Sequence, residues 1–420
     1  MTAAITRTTS QQYARPYRPR AVAAANAAGR ALERVGLRAP LDEASLIRAA
    51  RKQTGLHFFA DEAALREPMR RLLASVEEEA RLHPLGRIMI RVALLRSVAN
   101  RLRIDALFDH YAELRETPVE RPVFIVGLQR TATTLLQRLL ACHSELRALQ
   151  SWEAMFPAPL RPSVPGVEDP RIGMARFAER AAKYMAPDFF AIHPIEGEGQ
   201  EEDSLLFDAC FMTTTSEALM NVPSFTRWLE SSDHASAYQD YRRNLQLLLW
   251  QRPGRWLGKT PLHLEHIDEL LKTFPDAKIL HTHRDPASTV GSLCSMIAHG
   301  RGFFSDRVDS HEVGEQWLAK TARMVERGLE ARAAAPTDRF LDVHYDDTVE
   351  DPIKQIRRIC DFIDAPLDDD SERRMRVFLT THPQHAFGKH RYTLEDFGLD
   401  ADKISRSFSR YREHYGVSSE

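Results

Sequence analysis

The sequence predicts an α/β fold in which a parallel β-sheet is flanked by helices, with a helical region before the sheet. Two observations support this prediction. Short apolar runs alternate with helical patterns in the second half of the 420-residue chain, as in βαβ units. The run at 123–126, Val-Phe-Ile-Val, is apolar at every position, as expected of a strand buried on both faces.

The first third of the chain has helical rather than strand periodicity. Apolar residues recur there at helical spacing, and Asp61 is suited to cap one of these helices. We therefore expect a flexible N-terminus over residues 1–20 and a helical N-terminal region over 21–120 that packs on the core. The α/β domain then spans 121–420, with a helical insertion at about 171–250 that binds the acceptor.

Three later junctions repeat one strand-to-helix design. Strands are expected at Arg255–Lys259, Lys278–His283 and Phe340–Tyr345. Each is followed, directly or after a loop, by Thr-Pro or Asp-Pro, in which Thr or Asp can cap a helix and Pro can begin it. In parallel sheets, ligands bind where strands end and helices begin. Lys259 and Arg284 fall at such ends.

Composition excludes several classes of protein. The net charge is −2, without the basic excess typical of nucleic-acid binders. The four cysteines are far apart and lack metal-ligand spacing, which indicates reduced core residues. No apolar run approaches the ~20 residues that a transmembrane helix requires. We expect a cytoplasmic enzyme without a transmembrane segment.

Residues 127–134 form the strongest motif. This segment, Gly-Leu-Gln-Arg-Thr-Ala-Thr-Thr, lies between a buried strand and a helix, where backbone N–H groups can surround a phosphate. It departs from a Walker A loop because Thr133 occupies the position of the lysine and Ala132 that of the second glycine. Arg130 supplies the cation. Ala132 must either tolerate a Cβ close to the phosphate or adopt a negative φ.

Here the sequence resembles a known family. Residues 122–140, PVFIVGLQRTATTLLQRLL, resemble the 5′-phosphosulfate loop of sulfotransferases that use 3′-phosphoadenosine 5′-phosphosulfate (PAPS), usually PRSGTT or PRTGTT. A second family signature, an Arg at a strand end with a Ser eight residues later, is matched by Arg284 and Ser292. The resemblance continues through most of the chain and is strongest to the bacterial branch.

The resemblance implies a P-loop NTPase-like fold, the product adenosine 3′,5′-bisphosphate and no required metal. Arg284 and Ser292 are expected to hold the 3′-phosphate, and Lys389 and Arg391 could fold over the bound nucleotide. The loop residues expected to bind the donor are Arg130, Thr131, Ala132, Thr133 and Thr134.

Sulfonate transfer needs a cation near the leaving phosphate and a base for the acceptor's proton. Lys259 matches the lysine of the family's K-x-P element and is the candidate cation. Glu153 is the first candidate for the base, because related tyrosylprotein sulfotransferases place a catalytic carboxylate shortly after the phosphate-loop helix. His193 and the acidic pair Glu201 and Glu202 are the alternatives.

The acceptor is expected to be a small hydroxyl compound of apolar or amphipathic character. This expectation depends on the aromatic and Met residues of the helical insertion and the segment before it: Met155, Phe156, Tyr184, Met185, Phe189, Phe190, Phe211, Met212 and Trp228. Two other functions stay open from sequence alone, an ATP-dependent small-molecule kinase and a non-catalytic nucleotide-binding member of the fold. A homodimer is also possible.

Overall fold

The computed structural model describes residues 13–14, 16–162, 164–192, 196–382 and 392–418. Its centre is a five-stranded parallel sheet in the order β2-β3-β1-β4-β5. The strands are β1 Val123–Gly127, β2 Leu146–Ala148, β3 Arg255–Lys259, β4 Lys278–His283 and β5 Phe340–His344. The predicted α/β fold with a parallel sheet flanked by helices is confirmed.

The helices that precede β3 in the chain are short to medium in length, apart from one of 27 residues. They are α1 Arg20–Arg34, α2 Glu43–Thr54, α3 Glu62–Glu79, α4 Pro84–His110, α5 Thr133–Leu140, α6 Ser151–Met155, α7 Pro170–Met185, α8 Pro187–Ile192, α9 Thr215–Leu219, α10 Pro223–Ser231 and α11 Ala235–Gln251. Asp61 caps α3 as predicted, since it accepts a hydrogen bond from the backbone N–H of Ala64 at 2.9 Å.

The remaining helices follow β3, β4 and β5 in turn. They are α12 Leu262–Glu265, α13 Ile267–Thr273, α14 Pro286–Phe304, α15 Ser310–Ala333, α16 Tyr345–Glu350, α17 Pro352–Phe362, α18 Asp369–Thr381, α19 Ala401–Ser407 and α20 Ser409–Tyr415. No helix of the described residues combines the length and the apolar character needed to cross a membrane.

The sheet is buried on both faces, and β1 shows how. Phe124 and Val126 belong to a large core shared with helices α2, α3, α4, α14 and α15. Val123 and Ile125 point to the opposite face and pack in a second core with helices α5, α17 and α18. Alternate residues of a strand face opposite sides of the sheet, so a continuous apolar run is required here.

Three elements differ from the sequence-based expectation. The helix expected after β3 is interrupted at His266, which separates α12 from α13. The loop expected after β5 is instead the short helix α16, which begins at Tyr345 where a strand end was predicted. β2 was not predicted.

The N-terminus is packed where it is described. Tyr13 is buried, and its hydroxyl lies 2.7 Å from Ser295 Oγ on α14. Its ring also contacts the rings of His299 and Phe397. The last part of the segment predicted to be flexible therefore contributes to the core, while the division of the chain at residue 121 into two parts stays a prediction.

Candidate active site

The loop between β1 and α5 is shaped to surround an anion. β1 ends at Gly127, where φ is 144° and an added Cβ would come within 2.2 Å of Thr282 Oγ1, so glycine is required. The first N–H groups of a helix have no intrahelical partner and favour a bound anion. Helix α5 begins at Thr133, with Thr134 exposed beside it in the same turn.

Two residues of this loop have left-handed backbone conformations. Arg130 has φ 71°, and Ala132, which precedes α5, has φ 65° and ψ 15°. Of the two options for Ala132 raised by the sequence, the structure therefore has the positive φ with its Cβ tolerated. A left-handed conformation costs an L-residue other than glycine roughly 1–2 kcal/mol.

Replacement of Ala132 by glycine is expected to raise the free energy of unfolding by about 1 kcal/mol, because glycine adopts φ 65° without the steric penalty. Donor affinity should stay within a factor of a few. Chemical denaturation and nucleotide titration measure the two quantities. Ala322→Gly, inside helix α15, is the matched control and should lower stability by about 1 kcal/mol. A less stable Ala132→Gly protein would contradict the role given to φ.

The side chain of Thr131 points into the protein interior. Its hydroxyl donates to the carbonyl of Leu128 at 2.7 Å and lies 2.7 Å from Thr282 Oγ1. The side chain is buried. Thr131 therefore braces the loop against β4, and of its groups only the backbone N–H is placed to help surround a phosphate.

The two segments predicted to bind the donor contact each other in the structure. Arg130 Nε donates to Ser292 Oγ at 3.1 Å, and an Nη atom of Arg284 donates to the carbonyl of Arg130 at 3.0 Å. The guanidinium of Arg284 also lies 3.7 Å from the ring centre of Tyr345. Two guanidinium groups and a hydroxyl held this close favour binding of an anion. Arg130 thus lies beside the predicted 3′-phosphate residues as well as in the phosphate loop.

A buried hydrogen-bonded network holds the end of β4 that carries Arg284. His283 Nε2 lies 2.8 Å from Asp342 Oδ1, and His283 Nδ1 lies 3.1 Å from the hydroxyl of Tyr411 on α20. Burial lowers the pKa of His283 to about 4, so the ring is neutral, with one nitrogen donating and the other accepting. This pairing fixes the residue that immediately precedes Arg284.

The same network is the one group with metal-ligand chemistry found among the described residues. Ligand atoms of His281, His283 and Asp342 lie within 4.8 Å of one another. Arg332, however, donates from both terminal nitrogens to the Asp342 carboxylate, at 2.5 and 2.7 Å, and contacts His281 Nδ1 at 3.2 Å. A guanidinium so placed makes the group a hydrogen-bonded network that ties α15 to the sheet.

Lys259 ends β3 and is buried. Its Nζ donates to Glu202 Oε1 at 2.7 Å. The carboxylate of the next residue, Asp203, accepts hydrogen bonds from Tyr241 and from Trp256 Nε1. Burial raises the pKa of Asp203 to about 7. A Cβ at Gly258 would lie 2.3 Å from Asp203 Oδ2, so the glycine before Lys259 makes room for this carboxylate.

The segment that carries the acidic pair is hydrogen-bonded to the residue after β2 and to the phosphate-loop helix. The Glu201 backbone N–H donates to Leu149 O at 2.9 Å, and its carbonyl accepts from Gln137 Nε2 of α5 at 3.0 Å. The Glu201 carboxylate is turned back to the backbone N–H of Glu202 and to Ser151. Glu202 alone of the acidic pair contacts Lys259.

Glu153 occupies a structural position. Its carboxylate accepts from Arg147 at 2.8 Å and from the backbone N–H of Gln150 at 3.1 Å, and lies 3.4 Å from Arg252. It completes the capping box of α6 and is 2% exposed. Arg252 precedes β3, whereas Lys259 ends it. The carboxylate therefore faces the amino end of β3, and its position argues against the predicted role of general base.

Several predicted residues do not bear on this geometry. His193, Lys389 and Arg391 lie outside the described residues.

Among the apolar residues predicted to shape the acceptor pocket, Phe156, Phe190, Phe211 and Met212 are buried. Tyr184 is instead 59% exposed. Glu202 was one of the alternative bases, and no feature of the sequence distinguished it from Glu201.

Comparison with known proteins points to one family. Residues 122–369 match the family described as "Sulfotransferase family". The chain is 24% identical over 303 residues to omega-hydroxy-beta-dihydromenaquinone-9 sulfotransferase Stf3 of Mycobacterium tuberculosis, an alignment that covers 69% of this chain and 74% of that protein. A 118-residue stretch is 32% identical to protein-tyrosine sulfotransferase A of Caenorhabditis elegans, covering 28% of this chain and 30% of that protein.

Solved structures agree with this result. Sulfotransferase STF9 from Mycobacterium avium superposes with a TM-score of 0.83 and 28% identity, covering 91% of this chain and 98% of that chain. Sulfotransferase STF1 from Mycobacterium tuberculosis superposes with a TM-score of 0.77 and 29% identity, covering 88% and 98%. The similarity includes the N-terminal helices as well as the sheet, since it extends over nearly the whole chain.

Proposed function

The chain belongs to the sulfotransferase family, and we propose that it transfers a sulfonate group from PAPS to a hydroxyl of an apolar or amphipathic small molecule. The observation that carries the proposal is the convergence of Arg130, Arg284 and Ser292 on the sheet edge where the Lys259–Glu202 pair also lies. This edge offers cations for a nucleotide with two phosphate groups, together with a lysine paired to a carboxylate.

The donor site divides between the phosphate loop and the end of β4. The loop's N–H groups, with Thr133, Thr134 and the start of α5, would hold the 5′-phosphosulfate. Arg284 and Ser292 would hold the 3′-phosphate, with Arg130 between the two. Ala132 contributes backbone to the loop. The predicted roles of Lys389 and Arg391 over the nucleotide stay proposals.

Transfer is an in-line displacement at sulfur. The acceptor oxygen forms a bond to sulfur while the bond from sulfur to the 5′-phosphate oxygen breaks, which gives a sulfate ester and adenosine 3′,5′-bisphosphate. Lys259 would offset the charge that grows on the leaving phosphate oxygen. Glu202, 2.7 Å from Lys259, would take the acceptor's proton. We propose Glu202 in place of Glu153 because Glu202 lies beside Lys259 at the carboxyl end of β3, whereas Glu153 pairs with Arg147 and Arg252.

The proposed acceptor class has two supports. The Mycobacterium tuberculosis relative is named for a hydroxylated dihydromenaquinone, which is a lipid with a hydroxyl group. The insertion that precedes Lys259 in this chain is rich in aromatic and Met residues, as an apolar pocket would require. Both point to a hydroxyl carried on an apolar body.

Two measurements test the proposal. Adenosine 3′,5′-bisphosphate at about 100 times its dissociation constant should stabilise the protein by ~2.7 kcal/mol, and ATP with Mg²⁺ should do so far less. Labelled PAPS incubated with the protein and a lipid extract should yield a sulfated product identifiable by mass spectrometry. Nucleotide binding without turnover of any acceptor would indicate a non-catalytic member of the fold. A larger shift with ATP would contradict the donor assignment.

A further inference from the structure

Helix α7 has an unusual solvent-facing side. Phe177 is 68% exposed, Tyr184 59% and Met174 44%, and their spacing places them in one stripe along the helix. Ala175 and Arg171 on the opposite side are buried. A helix of a globular protein normally directs its apolar stripe toward the core, so this stripe requires another partner.

The charges on the same helix are arranged beside that stripe. Arg180 lies beside Phe177 and Tyr184, at spacings of three and four residues, and Arg176 and Lys183 lie next to Arg180 on the side away from the stripe. Lys183 Nζ also lies 5.4 Å from the centre of the Phe190 ring. Arg176 pairs with Glu168 and Glu198. Within the described residues, no ion pair joins Arg180 or Lys183 to an acidic side chain. The one acidic residue of the helix, Glu179, instead accepts a hydrogen bond from the backbone of the neighbouring acidic segment.

Two further apolar residues are exposed before the helix. Val164 and Val167, in the loop that leads into α7, are each 53% exposed. An apolar stripe flanked by cations, with the acidic side chain turned away, is the pattern of a helix that lies in the interface of a membrane with anionic lipids.

Helix α7 also contacts the segment that carries the proposed base. A Cβ at Gly197 would lie 2.8 Å from the backbone of Ala175, and Gly197 N donates to Glu179 at 3.0 Å. Glu202 follows five residues after Gly197. The side of α7 opposite the exposed stripe therefore packs against the segment that leads to Glu202.

We propose that the stripe of Met174, Phe177 and Tyr184, with Arg180 and Lys183, docks this enzyme on an anionic membrane surface, from which the acceptor enters. The proposal deepens the proposed function and rests on it for the acceptor, since a lipid-borne hydroxyl resides in a bilayer. Membrane contact itself is carried by the stripe and its charges.

Co-sedimentation of the full chain with vesicles tests the docking directly. The wild-type protein should sediment with vesicles of phosphatidylcholine and phosphatidylglycerol, and less with phosphatidylcholine alone or at high salt. Phe177→Ser should weaken vesicle binding about tenfold, since a buried phenylalanine is worth that much or more. Arg180→Glu should weaken binding to the anionic vesicles only.

Val92→Ser is the matched control. Val92 on α4 is 60% exposed and is not part of α7, so its replacement should leave vesicle binding unchanged. Binding lost in Val92→Ser but retained in Phe177→Ser would overturn the proposal. A concentration-dependent dimer that Phe177→Ser abolishes, without vesicle binding by the wild type, would also overturn it and assign the stripe to a second copy.

Turnover with a water-soluble alcohol separates this proposal from the function on which it rests. Without vesicles, wild type and Phe177→Ser should sulfate that alcohol equally, whereas the variant should be slower on a lipid acceptor embedded in vesicles. Absence of sulfonate transfer by the wild type on every acceptor would reject the proposed function, while vesicle binding would still be judged on sedimentation alone. Equal rates for both proteins on the embedded acceptor would reject docking.

Discussion

Replacement of Arg284 by alanine should weaken binding of adenosine 3′,5′-bisphosphate about 100-fold. A charge-assisted hydrogen bond to a phosphate contributes about 1.5–3 kcal/mol, and a guanidinium can make two of them. Arg284 also donates to the carbonyl of Arg130, so its loss removes one support of the loop as well. Isothermal titration with the nucleotide measures the effect.

Adenosine 5′-phosphosulfate gives the discriminating comparison, because it lacks the 3′-phosphate. Its affinity should fall far less in Arg284→Ala, by no more than the contribution of the Arg130 contact. Arg376→Ala is a matched control on helix α18, where the arginine is exposed and paired with Glu372, and it should bind both nucleotides as the wild type does. Equal losses for the two nucleotides in Arg284→Ala would place the 3′-phosphate elsewhere.

The parts of the fold that follow from local chemistry were predictable. The apolar run of β1, the Thr-Pro and Asp-Pro helix starts and the Asp61 cap each depend on residues adjacent in sequence. β2 was missed because its middle residue is a buried arginine. Arg147 is accommodated there by an ion pair with Glu153 and by the ring of Trp256, 5.1 Å from its guanidinium carbon. Neither partner belongs to the three residues of β2, so the local sequence gives no sign that an arginine can be buried there.

The proposed donor site was more predictable than the proposed pair of Lys259 and Glu202, for a related reason. Arg130 lies within a single strand–loop–helix motif, and Arg284 and Ser292 lie within a second, so the sequence alone was enough to propose both. That Arg130 lies against Ser292 depends on the pairing of β1 with β4. Glu202 lies 57 residues before Lys259. Their contact depends on tertiary structure, because Leu149 and Gln137 hold the acidic segment in place.

Glu153 shows what sequence position alone cannot decide. A carboxylate shortly after the phosphate-loop helix suggested a base, yet the short helix α6 turns that side chain toward Arg147 and Arg252. A carboxylate bound by an arginine and a backbone N–H is stabilised in place and withdrawn from other partners. The direction of that side chain depends on how α6 is rotated, and helix rotation is fixed by packing rather than by sequence position.

Glu202→Gln should lower turnover by at least ~100-fold while leaving donor affinity near that of the wild type. The amide keeps the shape of the side chain and can still accept the hydrogen bond of Lys259 Nζ, but it cannot take the acceptor's proton, and loss of a general base costs about 100- to 10,000-fold. The donor contacts from Arg130, Arg284 and Ser292 are untouched. Single-turnover measurements with labelled PAPS and a saturating acceptor determine the rate.

Two neighbouring carboxylates serve as controls for this experiment. Glu201→Gln changes a side chain that contacts Ser151 and the backbone of Glu202, so turnover should change only a few-fold, about the effect of one perturbed hydrogen bond. Glu153→Gln weakens the buried pair with Arg147 and should lower the free energy of unfolding by about 3 kcal/mol. Turnover per folded molecule should nevertheless stay close to that of the wild type. Loss of turnover in a fully folded Glu153→Gln protein, with Glu202→Gln active, would return the role of base to Glu153 and reduce Glu202 to the partner that holds Lys259.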